Sequence, residues 1–350
     1  MKIITCASFY GSGSSALTDL IAEYDIVKDL TDYEFRFLHD MDGISDLEFQ
    51  LCECHNRHNS GHALKRFKRF VDYHSGNGLV KRYEPYFNGQ YKQISYDYIQ
   101  RLTDFKFKGW WFYDLYDKGE TYYYVMQGLN KVLTKLSSGK IKLFKNEETY
   151  CSHPTQERFL AETQRYVSQL LQAANPENLP YLEIDQLLPS QNIGRILRYI
   201  QEPIEVFVVD RDPRDIYLLE KLYWKGSVCP TDDVQTFCEW FLYTRHSGSE
   251  PVVARDNVTA IRFEDLIYRY DEMVAQIEAK TGLLASQHTK TFAKFNPKRS
   301  VHNTQLWKKH PELQADIQVI ESRLQEYLYP FEQFSIETVQ GVESEDNTAF

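Results

Sequence analysis

Short apolar runs alternate with stretches of helical periodicity along most of the chain, and that alternation predicts an α/β protein. Residues 3–7 form a buried-strand pattern, a glycine- and serine-rich turn follows, and Ala16, Leu17, Leu20 and Ile21 then recur at helical spacing. "YEFRFL", residues 33–38, alternates apolar and charged positions and predicts a second strand. From about residue 43 to 136 the pattern becomes helical, aromatic and charged, with "NRHNSGHALKRFKRFVDY" its most basic part, which predicts an inserted cap.

Alternation resumes beyond the cap. "GKIKLFKNEETY" predicts a strand, residues 155–174 a helix with Leu160, Val167, Leu170 and Leu171 on one face, and "LPYLEIDQLLP" a strand entering a turn. "NIGRILRYI" reads as a short helix, and "IEVFVVDRDPRDIYLLEKLYW" as a buried strand whose polar end opens into another helix. A helix over 234–245, the strand "VTAIRF" and helical segments to about residue 329 follow. Strands separated by helices predict a mainly parallel sheet covered on both faces, a three-layer α/β/α arrangement. A single domain is expected over 1–335, with the cap at 43–136 inside it and a polar, acidic, frayed tail at 336–350.

Composition narrows the function. With 350 residues and 42% hydrophobic content the chain can bury a full core, and its formal charge of −10 argues against the broad positive field that nucleic acid or an anionic membrane needs, although basic residues can still cluster locally. Aromatic residues make up 15%, including 25 tyrosines, a content that serves packing first and a sugar-stacking cleft second. No window approaches the ~18 consecutive apolar residues of a membrane span, and no secretory leader pattern opens the chain, so a cytoplasmic protein without an integral membrane segment is expected. Cys6, Cys52, Cys54, Cys151, Cys229 and Cys238 are scattered, as free thiols are.

The candidate chemistry begins at "ASFYGSGSSALTDLI". Gly11 and Gly13 allow a sharp turn that brings backbone N–H groups toward an anion, and Ser12, Ser14, Ser15 and the amides up to Ala16 add donors at the positive end of a helix dipole. Against the pattern G-x-x-x-x-G-K-[ST], Ser8 stands at the first glycine and Ser14 at the lysine, which argues against an ordinary ATP or GTP hydrolase. In "VFVVDRDPRDIYL" a β-branched strand delivers Arg211, Asp212, Pro213, Arg214 and Asp215 to its carboxyl end, where ligands bind in open α/β sheets. An arginine there either grips a phosphate or closes the strand with an Arg/Asp ion-pair network.

Together these two stretches resemble the sulfotransferases that use 3′-phosphoadenosine 5′-phosphosulfate. Gly11-Ser12-Gly13-Ser14-Ser15 is similar to that family's loop for the 5′-phosphosulfate, and Arg211-Asp212-Pro213-Arg214-Asp215 to its R-[ND]-P-x-[DE] turn for the 3′-phosphate. "FNPKRSVHNTQLWKKHPEL" resembles the family's basic loop over the nucleotide, which implies Lys298, Arg299 and Ser300 as phosphate ligands, and "IRFEDLI" resembles its structural R-Y-E-D-L segment. The resemblance covers the two ends and the middle of the chain but not residues 43–150. It implies a P-loop-like fold and a nucleotide co-substrate, with no metal.

The sequence departs from that pattern at two positions: Gly11 stands where the family has lysine or arginine, and Leu219 where it has serine. Lys65, Arg66 and Arg69, or Lys81 and Arg82, are candidates to supply the missing charge. The resemblance of "EFRFL" to a carbohydrate sulfotransferase strand further implies Glu34 as the base, with Arg36 close to the acceptor or the transferring group; His39, Asp40 and Asp42, just beyond that stretch, are the alternatives. In "CECHNRHNSGH" the C-x-C spacing of Cys52 and Cys54 is too tight for a zinc knuckle; with His55, His58 and His62 it reads instead as cap helix, His58 and His62 on one face. Sulfuryl transfer to a hydroxyl, with a carbohydrate as the expected acceptor, is therefore the leading reading. Two others compete with it: a phosphotransferase using ATP and Mg2+ with Asp185 or Asp210 on the metal, and a nucleotide- or glycan-binding protein without the chemistry.

Overall fold

The structure, a computed structural model, describes residues 1–334 and 339, apart from 31, 57–58, 77–78, 81, 227 and 247–254. The expected tail at 336–350, except 339, and the candidates His58 and Lys81 thus lie outside the described residues. The strands are β1 (Lys2–Ser8), β2 (Val27–Lys28), β3 (Phe105–Lys108), β4 (Glu148–Cys151), β5 (Tyr181–Glu183), β6 (Ile204–Asp210) and β7 (Val258–Arg262). The chain divides into two compact units, one of residues 1–36, 177–197 and 202–350, the other of 37–176 and 198–201.

The first unit is α/β, built on a parallel five-stranded sheet in the order β2-β5-β1-β6-β7. Its strands are apolar on both faces, as a doubly covered sheet requires: Ile3, Ile4, Cys6, Ala7 and Val206 to Val209 are all buried. Ile4, Cys6, Phe207 and Val209 pack on Leu17, Leu20 and Ile21 of the helix Ser14–Ile21 and on Leu266, Met273 and Ile277 of the helices Phe263–Tyr268 and Tyr270–Thr281. A second core joins the helices Pro213–Leu218, Val234–His246 and Gln314–Arg323. Leu219 is fully buried in it, so the residue standing in the family's serine position is a core residue here.

Sheet order positions the loop after β1. The chain leaves β1 toward the β2 edge, but leaves β5 and β6 toward the β7 edge. With right-handed crossovers, the connection after β1 goes to the opposite face from those after both its neighbours. The carboxyl end of β1 therefore opens at a topological switch, where ligands bind in open parallel sheets.

The second unit is mainly helical. Its helices are Ile44–Glu48, continued as a wider turn over Phe49–Glu53, then Asn59–Ser75, Tyr91–Leu102, Tyr113–Tyr116, Glu120–Leu136 and Gln156–Ala174. The last starts where Thr155 caps the amide of Arg158. Buried rings fill its core: Phe37 lies edge-on to Tyr83, Phe87 and Tyr166, and Tyr98 stacks on Tyr166 at 4.6 Å. Fully buried Glu48 accepts hydrogen bonds from Gln156, Arg198 and Tyr199, which offset its desolvation.

Two expectations fail locally. Residues 33–38 are not a strand: Phe35 and Phe37 are buried while Glu34 and Arg36 are exposed, but the backbone gains only the bond from Phe35 N–H to the Asp185 carbonyl at 2.9 Å before turning. Alternating burial needs an extended backbone, not a ladder partner. Of "GKIKLFKNEETY" only the last three residues are extended, as part of Glu148–Cys151, which pairs antiparallel with Phe105–Lys108, a strand the pattern conceals because all four of its residues are exposed. Among the described residues no helix is long and apolar enough to cross a membrane.

Candidate functional site

The site is built at the carboxyl ends of β1, β5 and β6 in the first unit. Gly11 and Gly13 both take positive φ, 74° and 82°, which favours glycine and turns the chain into the helix Ser14–Ile21. The hydroxyl of Ser12 points inward and donates to the Phe9 carbonyl at 2.7 Å, so it braces the loop. Gly13, Ser14 and Ser15 keep their N–H groups free of acceptors among the described residues, at the positive end of the helix. Nothing acidic stands in the first helical turn to compete with an anion.

A Cβ on Gly13 would lie 2.6 Å from the ring of Phe263. That ring also carries the Arg211 guanidinium, 4.3 Å from its centroid, and Arg211 donates to the carbonyl of Asn303. The glycine loop and the "DRDPRD" turn thus meet on the Phe263 ring, and Arg211 links them to the 296–306 segment. Gly13→Ala is expected to lower stability by about 2–3 kcal/mol, through a left-handed non-glycine backbone and a displaced ring, read in a urea titration.

The turn itself is buried. Arg211 is 3% exposed and its Nε has no partner. Asp212 caps the helix Pro213–Leu218 through the amide of Arg214, holds the Arg214 guanidinium bidentately at 2.8 and 2.9 Å, and accepts from the amides of the C-terminal segment at Tyr329. Arg214 also stacks on Trp307 at 3.8 Å. Asp215 accepts from the amides of Gln305 and Leu306 at 3.1 and 2.9 Å; burial pushes its carboxyl up against the pull of Arg211. This Arg/Asp network ties the end of β6 to the segment that carries Lys298, Arg299 and Ser300 on the short helix Pro297–Ser300, which Asn296 caps. Arg299 is exposed, Lys298 and Ser300 half-buried.

Asp185, just past β5, is a carboxylate strongly altered by its surroundings. Burial, followed by the charge of Glu34, pushes it up to about 7, against the opposing pull of the Gln186 amide and of Arg36. Its Oδ1 is buried without a partner. Gln186 holds it beside β1, with its amide N–H on the Cys6 carbonyl at 2.9 Å and its side chain on the Ser8 hydroxyl. Glu34 and Arg36 face each other at 3.8 Å, both well exposed. Sequence spacing singled out Asp185 only as a metal candidate; its burial beside Glu34 depends on the β1–β5 pairing. Arg245 carried no motif at all, yet it stacks on Phe9 at 4.3 Å and pairs with Asp210 at 2.6 Å.

His39, Asp40 and Asp42 belong to the second unit, as do the candidate cations of the cap. Lys65 pairs with Asp114 and Glu147 at 2.7 and 2.8 Å, Arg66 with Asp42 at 2.5 Å and Arg69 with Asp117, while Arg82 stacks on Tyr73 at 3.9 Å. A cleft of about 260 Å³ in that unit is lined by Asp42, Asp46, His62 and Arg66 among others. Cys52 contacts the Pro154 carbonyl, and burial raises its thiol to about 11; His55 stacks on His153 at 3.9 Å. Among the described residues no group of three or more His, Cys, Asp or Glu side chains is arranged to hold a metal. No family model, curated protein or solved structure matches the chain.

Proposed function

We propose that the protein transfers a sulfuryl group from 3′-phosphoadenosine 5′-phosphosulfate to a hydroxyl acceptor of carbohydrate type, on a P-loop-like fold. The meeting of the glycine loop and the Arg211 turn on Phe263, with Arg211 bonded in turn to Asn303 just after the Pro297–Ser300 helix, carries this reading, because it joins the three stretches whose sequences resemble the sulfotransferases. The open amides of Gly13, Ser14 and Ser15 suit the 5′-phosphosulfate, and Lys298, Arg299 and Ser300 suit the remaining phosphate.

In this mechanism the acceptor oxygen attacks sulfur, the bond from sulfur to the bridging oxygen breaks, and the loop amides stabilise the charge on the departing phosphate. The acceptor proton goes to the Glu34/Asp185 carboxylate pair. Asp185 is the member tuned to take it near neutral pH, and Glu34, the base implied by the sequence, keeps it there. Arg36 orients the acceptor. A second reading, phosphoryl transfer from ATP with Mg2+, is favoured by one observation, the unpartnered Asp185 Oδ1 at the end of the strand beside β1.

Sulfate transfer from the labelled donor to a panel of sugars tests the proposal. Glu34→Gln removes a charge that raises Asp185, so the acid limb of the rate profile is expected to move to lower pH with turnover retained. Abolished turnover in Glu34→Gln alone assigns the proton to Glu34 instead, and phosphate transfer from ATP in place of sulfate transfer rejects the proposal.

A further inference from the structure

The helix Glu120–Leu136 of the second unit buries none of its side chains. Its apolar residues are nevertheless ordered: Tyr122, Val125, Leu129, Val132 and Leu136 recur at alternating steps of three and four, so they form one stripe along the helix, and each is exposed, Leu136 to 80%. The chain returns beside this helix, with the Leu143 amide on Asn130 at 2.9 Å and the Ile141 carbonyl accepting from Thr134 at 3.3 Å, and it leaves Ile141 and Leu143 exposed as well. Trp110 closes the cluster against Phe144 at 4.7 Å. An apolar surface this continuous requires an occupant.

Charge identifies the occupant. Residues 105–145 contain eight lysines and three acidic residues in a chain whose net charge is −10. Of those acids, Asp114 is neutralised by Lys65 at 2.7 Å and Asp117 by Arg69. Lys131, Lys135, Lys140, Lys142 and Lys145 are exposed and have no acidic partner among the described residues. Apposing this patch to a second copy of itself would set lysine against lysine, which works against a dimer. An apolar stripe flanked by Lys135 and by Lys140, Lys142 and Lys145 of the returning segment, with tyrosine and tryptophan at its margin, complements a bilayer that has anionic headgroups above hydrocarbon.

We infer that the helix Glu120–Leu136 and the returning segment dock this protein on an anionic membrane surface. The helix lies in the plane of the interface, its stripe between the headgroups and its lysines at the phosphates. It does not span, since no helix of the described residues is long and apolar enough to do so. This inference is independent of the reaction proposed above.

Co-sedimentation of the full chain with phosphatidylcholine vesicles, with and without phosphatidylserine, tests it. Binding is expected only with phosphatidylserine, and it falls as salt rises. Leu129→Asp with Val132→Asp, and separately Lys135→Glu with Lys142→Glu, are each expected to weaken binding by about tenfold or more. All four positions are exposed, so the circular dichroism spectrum and melting temperature stay unchanged. Binding to neither vesicle, equal binding to both, or a dimer in sedimentation velocity that Leu129→Asp dissociates would overturn the inference.

Discussion

Asp185→Asn is expected to lower turnover by about 10²–10⁴-fold while leaving affinity for 3′,5′-adenosine bisphosphate intact. The carboxyl sits at the end of β5, buried, with Oδ1 unpartnered and its protonation midpoint raised to about 7 by burial and by Glu34. The reactive form is the carboxylate, so kcat/KM of the unaltered protein rises with pH through about 7, and the residual rate of the variant lacks that limb. Stability moves oppositely. A carboxyl raised from its ordinary 3.8 to about 7 binds its proton more tightly folded than unfolded, so its contribution to stability is complete below about 3.8 and lost as pH rises through about 7. The asparagine, which never ionises, should therefore melt above the parent at pH 8, with the advantage gone in acid. A rate unchanged by Asp185→Asn would remove this residue from the mechanism.

Asp212→Ala should cost about 3–5 kcal/mol, the largest stability effect we expect in the first unit. One fully buried carboxylate caps the helix Pro213–Leu218, holds Arg214 bidentately and accepts from Tyr329 at 2.8 Å. Removing it leaves a largely buried guanidinium with Glu321, at 2.8 Å, as its remaining carboxylate partner and takes the acceptor from two backbone amides at once. Asp212→Asn keeps an acceptor for the cap but loses the ion pair, and should fall between the two. The urea midpoint reads the series, and an unchanged midpoint in Asp212→Ala would show that the network contributes nothing to holding the C-terminal segment.

Four of the five strands of the central sheet were readable because a doubly covered strand is apolar on both faces, and "IEVFVVD" and "VTAIRF" leave little alternative to a buried strand, whereas β2, only Val27–Lys28, is too short to carry a pattern. The 33–38 stretch shows the limit of that argument: Phe35 and Phe37 are buried as alternation demands, yet pairing depends on what lies beside them, which no local pattern encodes. The antiparallel ribbon of Phe105–Lys108 with Glu148–Cys151 was hidden for the converse reason, since its partners are 40 residues apart and one strand buries nothing. At the site, the loop and the turn could be located from glycine, proline and arginine spacing. Phe263, the ring on which they meet, could not, because a phenylalanine at the end of a strand looks like any core residue until the fold brings Gly13 and Arg211 against it.

Calorimetric titration with 3′,5′-adenosine bisphosphate, alongside ATP with Mg2+, tests the central claim most directly. The account predicts saturable binding of the bisphosphate, weakened in Gly13→Ala, and no comparable heat from ATP with Mg2+. Preference for ATP with Mg2+, or no binding of either nucleotide by the folded protein, would contradict it.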